Sequence, residues 1–278
     1  MRAAAVQLNS TADRDRNLAK AEALVRAAVD DGARLVALPE RFDVRGEPAD
    51  YERAAEPLET GAAARWAGAL ARELRIDLIA GSTSERRPGR DKLSNTSLHF
   101  GPDGELKAVY RKVHLFDVQV GDVEYRESDS DEAGDELVVS EAQDGTKLGL
   151  SVCYDVRFPE LYRILALQGA LVLTVPANFT RTTGEAHWEL LLRARAVENQ
   201  AFVVAPAQSG EYPPGQPAYG NAMIVDPWGE VLARAPGEGE TYVAAELDFD
   251  RLQEVRAKLP SLQNRVPGAY RWPVEVHA

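Results

Sequence analysis

The chain has 278 residues, 45% of them hydrophobic and 27% charged, which is an ordinary globular composition with length for one large domain or two modest ones. A formal net charge of −12 argues against nucleic-acid or anionic-membrane partners, because phosphate binding needs a basic face and none is visible. No apolar run approaches the roughly 18 residues of a membrane helix, the N-terminus lacks a signal-peptide segment, and one cysteine cannot form an internal disulfide, so a reducing cytoplasm is the expected compartment.

Residues 3 to 8 read as a short strand. From Asp15 to Asp31, Leu18, Ala21, Leu24, Val25 and Ala28 recur at helical spacing until Gly32 stops the helix. Arg34 to Leu38 is a buried-type strand ending at Pro39-Glu40, so a carboxylate sits where a strand meets a loop. A helix is predicted over Gly61 to Leu74 and a strand over Ile76 to Gly81, and the polar stretch Ser84 to Asp91 reads as loop. Leu93 to Phe100 and Glu105 to Arg111 flank Gly101-Pro102-Asp103-Gly104, a hairpin turn sequence. Beyond Lys112 the chain becomes irregular, and the acidic stretch Glu124 to Glu136 reads as solvated loop.

A strand over Leu148 to Val152 delivers Cys153, and a helix follows over Pro159 to Gln168, where proline suits the first turn. Leu171 to Val175 is a buried strand closed by Pro176, and Glu185 to Gln200 is helical. Further strands are predicted at Ala201 to Ala205, Gly220 to Asp226, Glu230 to Arg234 and Thr241 to Asp248, with Pro227-Trp228-Gly229 as a turn. A helix near Phe249 to Lys258 precedes a Pro-containing tail. No internal repeat or low-complexity linker is visible, which favours a single mixed α/β domain over residues 1–278.

The four histidines, at 99, 114, 187 and 277, form no short ligand pair and the cysteine has no companion at zinc spacing, so no metal is expected. Neither a phosphate-binding glycine loop nor a dinucleotide fingerprint follows a strand, and no Gly-x-Ser-x-Gly elbow is present; no cofactor is implied. What recurs is a reactive residue type at the C-terminal end of a buried strand: Glu40, Lys112 and Cys153. Strand ends on one rim of a sheet can converge in space. Singly, Glu40 reads equally well as a surface acid, Lys112 as a solvated cation and Cys153 as a small buried hydrophobe. Together they supply a base, a cation for a developing oxyanion and a nucleophile, a sufficient set for acyl transfer through a thioester. The helix start beyond Cys153 is expected to favour its thiolate.

Leu38-Pro39-Glu40, Tyr110-Arg111-Lys112-Val113-His114-Leu115-Phe116-Asp117 and Cys153-Tyr154-Asp155-Val156-Arg157-Phe158-Pro159-Glu160-Leu161, in that order, resemble the three motifs of the nitrilase, or carbon–nitrogen hydrolase, superfamily. The segments Thr183 to Glu189, Arg193 to Asn199 and Tyr219 to Gly229 resemble its Nit branch, which holds omega-amidase and deaminated glutathione amidase. The similarity runs over nearly the whole chain, to Leu259-Pro260. It implies an α/β fold, a four-layer α-β-β-α sandwich that extends across a dimer interface, hence a homodimer or higher homo-oligomer. It also implies that Cys153 attacks an amide carbonyl carbon, Glu40 acts as general base and Lys112 stabilises the tetrahedral intermediate. The backbone N–H of Tyr154 is then a natural second oxyanion donor.

A second active-site glutamate of the family matches Glu127 in Tyr125-Arg126-Glu127-Ser128, with Glu124 and Glu132 as positional alternatives, because Gly121-Asp122-Val123 departs from the Pro-Gly element of the branch. The branch's pocket region matches Pro176 to Thr183, which makes Asn178, Phe179 and Thr183 pocket candidates and Arg181 a candidate for a substrate carboxylate. His187 is expected to line or brace the site, and Arg157 to pair with Glu160 or Asp155. The implied reaction converts a small carboxylate-bearing amide to acid plus ammonia, with deaminated glutathione preferred over an omega-amide of a 2-oxo dicarboxylate on the form of the Cys153 to Leu161 and Ala205 to Gly210 segments. N-carbamoyl amino-acid hydrolase and nitrilase share the triad and stay open. A non-catalytic interaction protein retaining the fold is the alternative from another class, and the intact triad argues against it.

Overall fold

Along β1 (Arg2–Leu8), Ala3 and Ala5 face one apolar core while Ala4, Val6 and Leu8 face another, the period-2 alternation of a strand buried on both sides. The computed structural model describes residues 1–212 and 216–271; His277 and the end of the Pro-containing tail lie outside the described residues. After β1 come α1 (Arg14–Asp30), β2 (Leu35–Ala37), α2 (Pro48–Ala54), α3 (Ala62–Leu74), β3 (Asp77–Glu85), β4 (Ser94–Phe100), β5 (Leu106–Arg111) and a hairpin of β6 (Asp117–Val120) and β7 (Val123–Arg126). The second half runs β8 (Val139–Glu141), β9 (Lys147–Leu150), α4 (Pro159–Leu167), β10 (Val172–Thr174), α5 (Arg181–Asn199), β11 (Phe202–Ala205), β12 (Ala207–Tyr212) and β13 (Gln216–Tyr219). It ends with β14 (Met223–Val225), β15 (Val231–Arg234), β16 (Thr241–Glu246) and α6 (Phe249–Lys258).

One sheet has the order β13-β12-β1-β2-β3-β4-β5, with β16 also paired to β1; the other has the order β15-β14-β11-β10-β9-β8. Strands β1, β2 and β3 are parallel, as are β9, β10 and β11. The sheets pack face to face through small residues of the first, Ala3, Ala5 and Ala37, against Leu, Val and Ile of the second. Helices α1 and α3 cover the outer face of the first sheet, and α4 and α5 cover that of the second. The result is the four-layer α-β-β-α sandwich expected from the sequence. The C-terminal ends of β2, β5 and β9 deliver Glu40, Lys112 and Cys153 to one rim. Glycine is required at Gly81, where a Cβ would stand 1.9 Å from the carbonyl oxygen of Leu38 and crush the Glu40 loop against β3.

Several sequence expectations need correction. Strand β3 runs on through Ser84 and Glu85, because Ser82 to Glu85 are buried and find polar partners, Glu85 receiving two 2.7 Å bonds from Arg111. The acidic stretch Glu124 to Glu136 is only in part solvated loop: Glu124, Arg126, Asp129, Asp135 and Glu136 are exposed, but it also holds the end of β7, a 3-10 turn at Glu127–Asp129 and the buried Asp131. Helix α5 begins four residues before Glu185, where the Thr180 side chain caps the amide of Thr183. The short elements α2, β8, β12 and β13 carry no periodic signal long enough to read. Among the described residues, no helix is long and apolar enough to cross a membrane.

Candidate active site

Glu40, Lys112 and Cys153 are all buried, at 5%, 2% and 6% exposure, and they line one cavity of about 360 Å³ together with Glu127. The Lys112 ammonium donates to Glu40 Oε1 at 3.0 Å and to Glu127 Oε2 at 2.7 Å. Asn95 Nδ2 bridges the same two carboxylates, at 2.9 Å from Glu40 Oε1 and 3.0 Å from Glu127 Oε1. Glu40 Oε2 accepts the backbone N–H of Asn178 at 2.8 Å, and Glu127 Oε2 that of Phe116 at 2.7 Å. Each carboxylate is therefore anchored by an amide as well as by Lys112 and Asn95. A buried carboxylate stays ionised only with such partners.

Cys153 opens a 3-10 turn at Cys153–Arg157 with φ of 50°, a left-handed conformation that few residues other than glycine adopt. Its backbone N–H donates to Pro176 O at 2.8 Å, which ties the end of β9 to the segment after β10. Asp155, fully buried, fixes the same turn from below. It accepts from Val152 N at 2.8 Å, Tyr110 Oη at 2.6 Å and His114 N at 3.1 Å, and it contacts His114 Nδ1 at 2.8 Å. The lysine-bearing motif and the cysteine-bearing motif are thus locked to each other.

Burial, followed by the adjoining Glu40 charge, pushes the Cys153 thiol well above its ordinary value. The sequence expectation of a thiolate favoured by the following helix is overturned. The shift favours the protonated thiol, which shares the cavity with Glu40, and Lys112 opposes it only in part. Burial alone would lower the Lys112 pKa, but Glu127 and Glu40 raise it well above the usual lysine range. Burial would raise that of Glu127, yet Lys112 and then Arg41 hold it below the usual carboxylate range.

Of the other residues named from sequence, Tyr154, Asn178, Phe179 and Thr183 line the cavity. Arg181 is not among its lining; it pairs with Glu238 at 3.4 Å on the surface. His187 is exposed on α5 and accepts from Arg157 Nη1 at 3.3 Å. Arg157 pairs with neither Glu160 nor Asp155: its guanidinium lies 5.3 Å from the Phe179 ring centroid and 5.9 Å from that of Tyr154. Glu124 lines the cavity at its mouth in an ion pair with Arg126, and Glu132 pairs outside with Arg87 and Arg90. Sequence reasoning missed Asn95, Arg41 and Asp131. The available signal was Ser94-Asn95-Thr96-Ser97, a polar run in a strand whose every residue is buried. Among the described residues, no cluster of three or more His, Cys, Asp or Glu could hold a metal ion.

The carbon-nitrogen hydrolase family profile matches residues 2–257. The chain is 45% identical over 267 residues to the deaminated glutathione amidase of Synechocystis sp. strain PCC 6803, covering 95% of this chain and 97% of that one. It is 39% identical over 270 residues to the omega-amidase NIT2 of Mus musculus, covering 97% and 96%. The crystal structure of Saccharomyces cerevisiae Nit3, a member of branch 10 of the nitrilase superfamily, superposes with a TM-score of 0.85 at 34% identity over 94% of each chain. With a buried cysteine, glutamate and lysine converging on one cavity of an α-β-β-α sandwich, and relatives of this similarity over nearly its full length, the chain belongs to the carbon-nitrogen hydrolase family, enzymes that act on C–N bonds of amides, and to its Nit branch.

Proposed function

We propose that the protein is a thiol amidase that hydrolyses a small carboxylate-bearing amide, either deaminated glutathione or an omega-amide of a 2-oxo dicarboxylate. The observation that carries this reading is the convergence of Cys153, Glu40 and Lys112 on one cavity, with the Lys112 ammonium 3.0 Å from Glu40 Oε1. Glu40 takes the thiol proton as Sγ attacks the amide carbonyl carbon. Two of the three ammonium protons of Lys112 are committed to Glu40 and Glu127, which leaves the third for the oxyanion. The backbone N–H of Tyr154, first after the nucleophile, is the second donor. Glu40 then returns its proton to the leaving nitrogen, the C–N bond breaks and a thioester remains. Ammonia leaves from a primary amide and an amine from a substituted one. Glu40 next deprotonates a water, which attacks the thioester and releases the acid and the free thiol.

Glu127 serves in this scheme as the second active-site acid, holding Lys112 in place. Asn178, Phe179 and Thr183 shape the substrate side of the cavity. The names of the relatives above support the substrate class, and deaminated glutathione is the preferred member because the 45% relative carries that name. The working unit is one domain, supported by the pairing of β16 with β1. It assembles as a homodimer, supported by the apolar Ile164, Leu167, Leu190 and Val197 left exposed on α4 and α5. A single cysteine suits a reducing cytoplasm.

The test is a panel of deaminated glutathione, a 2-oxo dicarboxylate monoamide, an N-carbamoyl amino acid and an aliphatic nitrile, assayed with the native protein and Cys153→Ala. Turnover confined to the first two compounds and abolished by the substitution supports the reading. Undiminished turnover by Cys153→Ala, or preference for the nitrile, overturns it.

A further inference from the structure

Arg41 follows Glu40 directly and has φ of 54°, a strained choice for a residue with a side chain. Its amide donates to Ser82 Oγ at 3.0 Å, and its guanidinium donates to Asp131 Oδ1 at 2.7 Å and to Ser84 Oγ. The guanidinium also lies over the Tyr51 ring of α2, 4.5 Å from its centroid. The two side chains of the Arg41–Asp131 pair are 5% and 1% exposed. A buried ion pair gives little stability over an apolar pair of similar shape, so its presence beside an active site calls for a different use.

That use is visible in what Asp131 holds. Its backbone N–H donates to Glu127 O at 2.9 Å, closing the turn that carries Glu127, and Ser130 Oγ donates to Asp131 Oδ2 at 2.7 Å. Arg41, Glu127, Ser130 and Asp131 all line the cavity. One end of the strut is therefore covalently next to Glu40, and the other is hydrogen-bonded to the turn of Glu127. We propose that Arg41, gripped by Asp131, is a positioning residue that fixes the Glu127 carboxylate over the Lys112 ammonium.

The inference rests on the reading of Glu127 as the second active-site acid. The groups around Glu127 are Lys112 from β5, Glu40 and Arg41 from the loop after β2, and Cys153 from the turn after β9. Tyr51 faces from α2, Glu124, Tyr125 and Arg126 from β7, and Asp131 from beyond its own turn. Asp117 of β6 and Asp129 lie at the outer side of that turn. Burial favours the neutral form of Glu127; Lys112 first and Arg41 second oppose it. Loss of the Arg41 charge raises the Glu127 pKa. Loss of the Asp131 charge leaves Arg41 uncompensated and lowers it. A purely structural strut gives no such opposition of sign.

The experiment measures kcat, KM and the pH profile of kcat/KM for the full chain and for Arg41→Met, Arg41→Lys, Asp131→Asn and Glu127→Gln on the best amide of the panel. Arg41→Met and Asp131→Asn each lower kcat about tenfold or more while KM moves less than about threefold, as expected when geometry at the reacting centre is lost. The acid limb moves up by about one pH unit in Arg41→Met, down in Asp131→Asn, and back toward native in Arg41→Lys. Acid limbs that stay in place, or move in the same direction in both variants, overturn the inference even though Glu127→Gln is impaired. Should Arg41→Met fail to fold, the Asp131→Asn profile decides, and an unmoved limb overturns the proposal. Full activity of Glu127→Gln instead overturns the role of Glu127 itself, and the strut with it.

Discussion

Lys112 Nζ stands 2.7 Å from Glu127 Oε2, joining the end of β5 to the turn after β7 with only 2% and 15% of the two side chains exposed. The same ammonium reaches Glu40 at 3.0 Å, so one cation faces two carboxylates and Asn95 supplies the remaining polar link between them. The site thus holds an excess of negative charge next to a thiol that must lose a proton. Proton transfer from Cys153 to Glu40 leaves the net charge of the site unchanged and moves one negative charge onto Sγ, where Lys112 attracts it.

Removing the cation should show how much it holds. In Lys112→Met the Glu40 and Glu127 charges are left buried with only Asn95 between them, and breaking a buried pair in this way costs about 3–5 kcal/mol. Urea denaturation at pH 7 is expected to show that loss, and activity is expected to fall by about a hundredfold or more as the oxyanion loses its ammonium. At pH 5 the deficit shrinks, because without Lys112 the buried Glu127 carboxyl protonates more readily and the repulsion is relieved. Equal deficits at both pH values would contradict this account.

The same ionisations set the pH range of stability of the native protein. The folded pKa of Glu127 lies below its ordinary value; its contribution is present above about 4.3 and is lost as pH falls through the depressed folded value. The folded pKa of Lys112 lies above its ordinary value; its contribution is present below about 10.4 and is lost as pH rises through the raised folded value. The Cys153 thiol is also raised, so stability begins to decline earlier, above about pH 8.5, where the unfolded thiol ionises and the folded one does not. Cys153→Ala removes that early decline. Chemical denaturation from pH 7 to 10 should show the native curve falling away from the Cys153→Ala curve; parallel curves would rule out a raised thiol.

Much of this site was readable from residues alone, and the boundary is instructive. Runs such as Leu35-Val36-Ala37-Leu38 and Leu171-Val172-Leu173 mark parallel strands buried on both faces, and a reactive side chain just past such a run is conspicuous. Asn95 was missed although the polar run Ser94-Asn95-Thr96-Ser97 marks the strand, because its role depends on the facing Glu40 and Glu127, which lie far off in the chain. Arg157 was assigned to Asp155 or Glu160 because they are near in sequence, whereas Asp155 takes its partners from Tyr110 and His114, 45 and 41 positions away. The acidic stretch around Glu127 reads as solvated by composition. The charges that hold Glu127 ionised inside the cavity are Lys112 and Arg41, which no local window contains.

Chemical labelling separates the roles of Glu40 and Cys153. Because the only cysteine is Cys153, iodoacetamide reports that thiol alone. Burial and Glu40 keep it protonated, so labelling at pH 7 is slow and rises steeply on the alkaline side. Glu40→Gln removes a charge that disfavours the thiolate and also the base that the proposed mechanism requires. Labelling of Glu40→Gln is therefore no slower than native, while hydrolysis falls by about a hundredfold to ten-thousandfold. Hydrolysis by Glu40→Gln at the native rate would place Glu40 outside the proton transfer.

A polar cluster away from the cavity gives the last prediction. His99 on β4 contacts Ser140 Oγ of the facing sheet through Nδ1 at 2.7 Å and Asp77 Oδ1 of β3 through Nε2 at 3.1 Å. All three residues are buried, and none lines the active-site cavity. Asp77 Oδ2 accepts only the amide of Gln143 at 3.1 Å, so His99→Leu leaves a buried carboxylate with one oxygen unpartnered. That costs about 1–3 kcal/mol, and more if the carboxylate stays charged. Replacing both partners, as in His99→Leu with Asp77→Leu, removes the orphaned group and should recover part of the loss, since apolar replacement of a whole buried polar pair is often neutral. Urea midpoints of the two single variants and the double variant measure the coupling, and kcat per folded molecule should match native in all three. A double variant less stable than either single one would mean that the cluster bolts the two sheets together by more than mutual satisfaction of its own polar groups.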